Sequence, residues 1–290
     1  MPPYSVETGA DQIVANFASE VKSKADLITG VSPNGLGAFF AEAIAKASPK
    51  LIILATRNVE RASEVAASIK GINSTAQTRI LHLDLASLAS VRAAAQEVNS
   101  YAEDIHVGAN NAGIMASNHL GHSLFTNLIM AMLLRSGPAP RVVNVSSKGY
   151  RLGGVRHFDH GFHGGASYDP WFAYAASKTA NILHAADLAR RLGSSGLVAV
   201  SLSPGVIYTN LSTHGAMGKF DDLWALLRKV GDPLRWAAPT SLDSNHGVAI
   251  HAHAALAPVV KDFNGGYIRS LDTLPDPVEG MSPWAIGYKK

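Results

Sequence analysis

The run Ala25-Asp26-Leu27-Ile28-Thr29 passes straight into Gly30-Val31-Ser32-Pro33-Asn34-Gly35-Leu36-Gly37, and an alanine-rich segment of helical pattern, Ala38–Ala47, follows at once. A buried strand that hands over to a helix through a glycine-rich turn leaves a chain few architectures to adopt. Glycines there permit a tight turn and let backbone N–H groups approach an anion at the positive end of the helix. An ordinary glycine turn is the plain alternative. Placed at the first strand of an alternating pattern, the turn reads as a cradle for a dinucleotide pyrophosphate, with Gly30, Ser32, Asn34, Gly35, Leu36 and Gly37 as its candidate residues.

The alternation continues along the chain. Apolar runs at Leu51–Ala55, Ile80–Leu83, Val107–Asn110, Arg141–Val145 and Leu197–Leu202 read as strands, with a short late one at Gly266–Arg269. Between them lie helical patterns at Val59–Ile69, after Ser87 as N-cap, at Leu120–Leu134, Tyr174–Leu192 and Val248–Leu256, with a leading helix over Asp11–Val21. Strands alternating with helices of this length predict a doubly wound parallel α/β sheet of Rossmann type. No linker, repeat or low-complexity stretch divides the chain, so a single domain over 1–290 with a short helical extension at 1–24 is expected.

Composition narrows the function classes. The chain has no cysteine, which excludes a disulfide framework, a thiolate metal site and a cysteine nucleophile. A net charge of +3 without a dense basic run gives no support to nucleic-acid binding. The first residues lack the basic start and apolar core of a signal peptide, and Val248–Val260, broken by His251 and His253, is too short to span a bilayer. A cytoplasmic protein without membrane insertion is expected.

Two further features carry chemistry. Tyr174 and Lys178 stand four apart on a predicted helix, hence on one face. A free phenol titrates near pH ~10, and a neighbouring ammonium would bring it towards neutrality. Where a dinucleotide-binding fold commonly has an acid for a free ribose 2′-hydroxyl, the end of the second strand reads Thr56-Arg57-Asn58. Arg57 could pair with a 2′-phosphate through its planar fork, which favours NADP(H); a solvated helix-start arginine is the bland alternative.

Thr29-Gly30…Gly35-Leu36-Gly37, Asp84-Leu85, Asn110-Asn111-Ala112-Gly113, Ser146-Ser147, Tyr174…Lys178 and Pro204-Gly205…Thr209 follow one another in an order and rough spacing that resembles the short-chain dehydrogenase/reductase family. The likeness is to its retinol-dehydrogenase-like and fungal reductase branch, and runs from about Ala25 to about Tyr267. The resemblance implies an NADP(H)-dependent enzyme interconverting a carbonyl and an alcohol on an apolar, small or medium-sized substrate, possessing a place in secondary metabolism. It implies Tyr174 as proton donor or base, Lys178 as holder of the nicotinamide ribose that lowers the tyrosine pKa, and Ser147, rather than its neighbour Ser146, as partner of the substrate oxygen. Asn118 matches the family's helix-bending asparagine on the proton route. Asp84 and Leu85 would meet the adenine, Asn110 and Asn111 the adenosine ribose side, and Val206 and Thr209 the carboxamide. The same fold hosts epimerases, dehydratases and non-catalytic dinucleotide binders, and a homo-oligomer fits the pattern.

Three departures from that pattern stand out. The glycine loop is one residue longer than common, with Asn34 in the extra position, where left-handed backbone is tolerated. Gly108 weakens the fourth strand. Only Ile114–Ser117 separates Gly113 from Asn118, so one wall of the substrate pocket is expected to be open and Asn118 displaced. Of the remaining features, His157, Asp159, His160 and His163 read as loop residues in preference to a metal site. Tyr150, Tyr168, Trp171, Phe172 and Tyr208 could be core or substrate wall, and Asp221–Val230 a lid or a plain packing helix.

Overall fold

A computed structural model describes residues 4–113, 118–207 and 242–271. Seven parallel strands form one sheet in the order β3-β2-β1-β4-β5-β6-β7. They are β1 Ala25–Thr29, β2 Leu51–Thr56, β3 Thr78–His82, β4 Val107–Asn110, β5 Arg141–Val145, β6 Val198–Leu202 and β7 Tyr267–Ile268. Six of them, all but β3, are buried at every position, as near-continuous apolar runs covered on both faces must be.

Side chains alternate between the two faces. Ile28, Ile52, Leu54, Val143 and Val200 join one apolar cluster with helices α1 Ala10–Asn16, α3 Leu36–Ala45 and α4 Val59–Ile72, and with the helix Ala249–Leu256. Leu27, Ile53, Val142 and Ala199 join another with α5 Leu88–Asn99, α6 Leu120–Leu128, α7 Met130–Leu134 and α8 Pro170–Leu192. The expected doubly wound α/β architecture is therefore the observed one.

Helix starts follow their caps. Asn58 accepts from Arg61 N at 2.9 Å, Ser87 from Ser90 N at 3.3 Å, and Asp169 from the backbone N–H groups of Trp171 and Phe172 at 2.8 and 3.0 Å. With Pro170 in the first turn, that last cap starts α8 a full turn before Tyr174, earlier than the expected start. Two expected helices are broken. The leading helix stops at Asn16 and restarts as α2 Ala18–Val21, because Phe17 leaves helical geometry and packs edge-on against Tyr4. The run Leu120–Leu134 is interrupted at Ile129, whose φ of −99° and ψ of 7° separate α6 from α7. Gly108 does not disrupt β4, which pairs on both sides with β1 and β5.

The strand order reverses between β1 and β4. In an open parallel sheet the ligand crevice lies outside the carboxyl ends of the strands at such a reversal. Thr29, Arg57, Asp84, Asn110, Ser147 and Pro204 all stand at or just beyond those ends. One short β4 turn, Asn111-Ala112-Gly113, thus lies against the glycine loop of β1.

Candidate active site

The β1–α3 turn is built for close approach. Gly30 has φ +71°, and a Cβ there would come within 2.5 Å of the Ala112 backbone. A Cβ on Gly37 would lie 2.7 Å from Asn111 Nδ2 and 2.9 Å from the Gly30 carbonyl. Asn34 takes the left-handed conformation expected of it, with φ 59°. Gly35 N–H is already bonded to Ser32 O, and Gly35 caps α3, which begins at Leu36. Beside this turn Asn111 Oδ1 is buried with no hydrogen-bond partner. A crowded glycine backbone at a helix start, with an unpaired acceptor next to it, fits the pyrophosphate and ribose of a dinucleotide.

Thr29 joins the glycine turn to the β4 end. Its Oγ1 accepts from the N–H groups of Asn111 and Ala112, each at 3.0 Å, and Asn111 Nδ2 donates to Thr29 O at 2.9 Å. Asn110 turns the other way. Its Nδ2 donates to Thr126 Oγ1 and Asn144 Oδ1 at 2.9 and 2.8 Å, inside the sheet–helix layer. Only Asn111 of the asparagine pair therefore faces the crevice with an unpaired group.

Arg57 is exposed at the end of β2. Asp84 uses Oδ1 to accept from Ala86 N at 3.0 Å, and Leu85 is buried with its carbonyl against Gly121, where a Cβ would collide. Val206 is half-buried and its carbonyl accepts from Leu242 N. Thr209, Tyr208 and the segment Asp221–Val230 lie outside the described residues, as do 114–117.

Tyr174 and Lys178 are both buried on one face of α8, with Lys178 Nζ 5.5 Å from the centre of the Tyr174 ring. The Ser147 hydroxyl stands beside the Tyr174 ring. Ser147 is half-buried and its hydroxyl accepts from Gly149 N at 3.1 Å. Ser146 points inward and donates to Lys178 O at 2.9 Å, so of the two serines Ser147 is the one beside the phenol. Gly149 is required here, since a Cβ would sit 2.9 Å from the Tyr174 ring.

Lys178 Nζ donates to Val145 O at 3.0 Å, and Asn181 Nδ2 donates to the same oxygen at 3.1 Å. Burial pushes the Lys178 ammonium down to about 8. Burial also holds the Tyr174 phenol above its ordinary value, while the neighbouring Ser147 hydroxyl pulls it back. Burial leaves the phenol raised, with Lys178 standing over the ring and donating to Val145 O.

Asn118 is fully buried and donates from Nδ2 to Ser177 Oγ at 2.8 Å, and Ser177 Oγ donates to Tyr174 O at 2.7 Å. The two flanks of the four-residue link meet directly. Gly113 has φ +154°, and a Cβ on it would run into Asn118 Oδ1, an oxygen with no partner.

The histidine segment acts as a loop. Asp159 bonds Arg156 and also the His163 backbone N–H, at 2.6 Å for the latter. Among the aromatic candidates, Tyr150 packs edge-on against Tyr267, and Trp171 against Tyr174 at 6.3 Å. Tyr168 is half exposed on Phe162.

Thr29, His122, Asn144 and Asn181, none of them an expected site residue, hold the named residues in place. A spacing signal existed for two of them: His122 lies four residues after Asn118, within reach of its carbonyl, and Asn181 three after Lys178 on one face of α8.

Comparison with known proteins agrees with this geometry. A family model described as short chain dehydrogenase matches residues 24–217. The chain belongs to that family. Over 239 residues this dehydrogenase is 34% identical to "Oxidoreductase fscI" of Fusarium equiseti, covering 68% of the chain and 93% of the relative. Over 262 residues it is 34% identical to "Retinol dehydrogenase 11" of Homo sapiens, covering 83% of the chain and 80% of the relative. Its fold matches the solved "Pseudomonas aeruginosa RhlG/NADP active-site complex" with a TM-score of 0.63 at 20% identity, over 87% of this chain and 96% of that one. This dehydrogenase is thus an oxidoreductase of a family that uses NAD(P)(H). Among the described residues, no helix is long and apolar enough to cross a membrane.

Proposed function

We propose that this dehydrogenase interconverts a carbonyl and an alcohol with NADP(H). The observation that carries the reading is the buried Tyr174 hydroxyl beside Ser147, with the Lys178 ammonium over its ring. A bound nicotinamide supplies the hydride. Ser147 and Tyr174 donate to the substrate oxygen as negative charge develops on it, and Tyr174 passes its proton to that oxygen in reduction or withdraws it in oxidation. Lys178 holds the nicotinamide ribose and its charge eases loss of the phenolic proton. Asn118 steadies the first turns of α8 through Ser177. Gly30 to Gly37 cradle the pyrophosphate, Arg57 pairs with the 2′-phosphate, Asp84 and Leu85 meet the adenine, Asn111 the ribose side, and Val206 and Thr209 the carboxamide.

An apolar alcohol or ketone of small or medium size is the substrate class, in line with the retinol in the human relative's name. The short 114–117 link favours a second reading, a dinucleotide binder with slow turnover, because four residues leave little chain for a pocket wall. The test is Tyr174→Phe with Arg57→Ala. The first should lower carbonyl reduction by about 10²–10⁴-fold while NADPH titration is unchanged. The second should remove an NADPH-over-NADH margin of roughly 1.5–3 kcal/mol and leave NADH binding alone. Equal wild-type affinity for the two dinucleotides rules out the Arg57 role. Wild-type rates from the Phe variant rule out the tyrosine mechanism.

A further inference from the structure

His122 is fully buried between the crevice-side turns and the start of α6. Its Nε2 lies 2.7 Å from Thr29 Oγ1 and its Nδ1 lies 3.0 Å from Asn118 O. The partners decide the tautomer. Asn118 O can only accept, so Nδ1 carries the hydrogen. Thr29 Oγ1 already accepts two backbone N–H groups, from Asn111 and Ala112, which fills its lone pairs. Its own hydrogen must go to an acceptor, and His122 Nε2 is far nearer than the alternative, Ala109 O at 3.4 Å. A bare Nε2 and a protonated Nδ1 satisfy every group at once. Burial keeps the ring neutral, with Lys178, His119 and His184 adding to the same direction.

We propose that His122 is a positioning residue that ties the dinucleotide turn to Asn118. One ring nitrogen holds the oxygen that gathers the β1 and β4 ends, from which the glycine loop and Asn111 project. The other holds the backbone carbonyl of Asn118, whose side chain reaches α8 through Ser177. A single neutral imidazole thus sets the relative placement of cofactor turn and catalytic helix. The inference rests on the proposed roles of the dinucleotide turn and Asn118.

The amide of an asparagine falls near the Nδ1 position of histidine, and that of a glutamine near Nε2. His122→Asn should keep a donor for Asn118 O and lose the Thr29 link. His122→Gln should keep an acceptor for Thr29 and lose Asn118. NADPH titration and saturated turnover should therefore rank the two variants in opposite order. The Asn variant should lose more affinity and the Gln variant more rate, each by roughly three- to tenfold. Nitrogen-15 spectra of the imidazole in the dinucleotide-free full chain provide a readout that needs no ligand: an unprotonated Nε2 and protonated Nδ1, unchanged from pH 5 to 9. Losses of affinity and rate that rise together with the fall in Tm in both variants, or a ring that titrates or holds the other tautomer, would overturn the proposal. If the spectra hold while no variant and not the wild type binds a dinucleotide, the coupling role falls with the dinucleotide reading, and the fixed tautomer remains as the trace of which part failed.

Discussion

The two faces of the sheet differ in how far their buried polar groups are linked to one another. On the α5–α8 face, Asn110 donates to Thr126 and Asn144, Asn144 donates to Asn181 O and contacts His184 Nδ1 at 3.2 Å, and Asn181 and Lys178 share Val145 O. Thr29, His122, Asn118 and Ser177 extend this web to the backbone of Tyr174. On the opposite face polar groups stand apart. Asp26, the second residue of β1, is buried with Oδ1 unpartnered, and His253 Nδ1 has no partner either. Arg141 donates to Ala254 O and Ala257 O, capping the end of its neighbouring helix, and no hydrogen bond among the described residues links it onward to Asp26. Buried polar groups are retained at low cost when each donor meets an acceptor, and at high cost when isolated. The connected face is also the one that carries the candidate site.

The sharpest way to break this contrast is to cut the web away from the reacting atoms. Asn144→Leu removes the node joining Asn110, Asn181 and His184, and leaves their groups unpaired. It should destabilise the fold by about 2–4 kcal/mol, read as a lowered midpoint in urea. A midpoint unchanged from wild type would show that the web contributes no stability.

The opposite face predicts the opposite sign. Burial pushes the Asp26 carboxyl up to about 7, with Lys24 opposing. A carboxyl raised in the folded state binds protons there that the unfolded chain releases, so stability falls as pH rises from about 4 to 7. Asp26→Asn removes that loss. It should stabilise the fold by about 4 kcal/mol at pH 8 and by little at pH 4. Equal effects at both pH values would place the charge elsewhere.

The smallest effect concerns Lys178, which belongs to the web but is itself poorly solvated. Its folded pKa of about 8 lies below the ordinary lysine value, so between that pH and about 10.5 the unfolded chain binds more protons and the fold gains stability. Lys178→Met, lacking the ammonium, should be favoured over wild type at pH 7, and the gap should narrow by on the order of 2 kcal/mol by pH 10. Urea midpoints across that range measure it. A gap constant with pH would show that the ammonium is solvated in the fold.

What the residues determine unaided is local. The apolar runs of β1, β4 and β5 coincide with the expected segments, because strands buried on both faces need no more than a short apolar stretch between breakers. The glycine turn, Asn34 in left-handed backbone, the Ser87 cap and the Tyr174–Lys178 pair were legible for the same reason: each depends on neighbours within about one helical turn. Motif order also carried the family. The start of α8 at Pro170 was written in Asp169-Pro170, a local signal left unused.

Tertiary structure decided the rest. Which serine stands beside the phenol depends on the rotation of the β5 end against α8, which sends Ser146 to a backbone carbonyl and Ser147 to Tyr174. Asn110 and Asn111 are neighbours in sequence, yet strand alternation turns one into the web and leaves the other at the crevice. The pKa of Tyr174 follows burial by distant segments more than its nearby lysine. His122 acquires its role only because β1, 93 residues earlier in the chain, brings Thr29 within 2.7 Å. Spacing along a chain fixes which side chains share a face; what lies opposite that face is a long-range contact that no local pattern encodes.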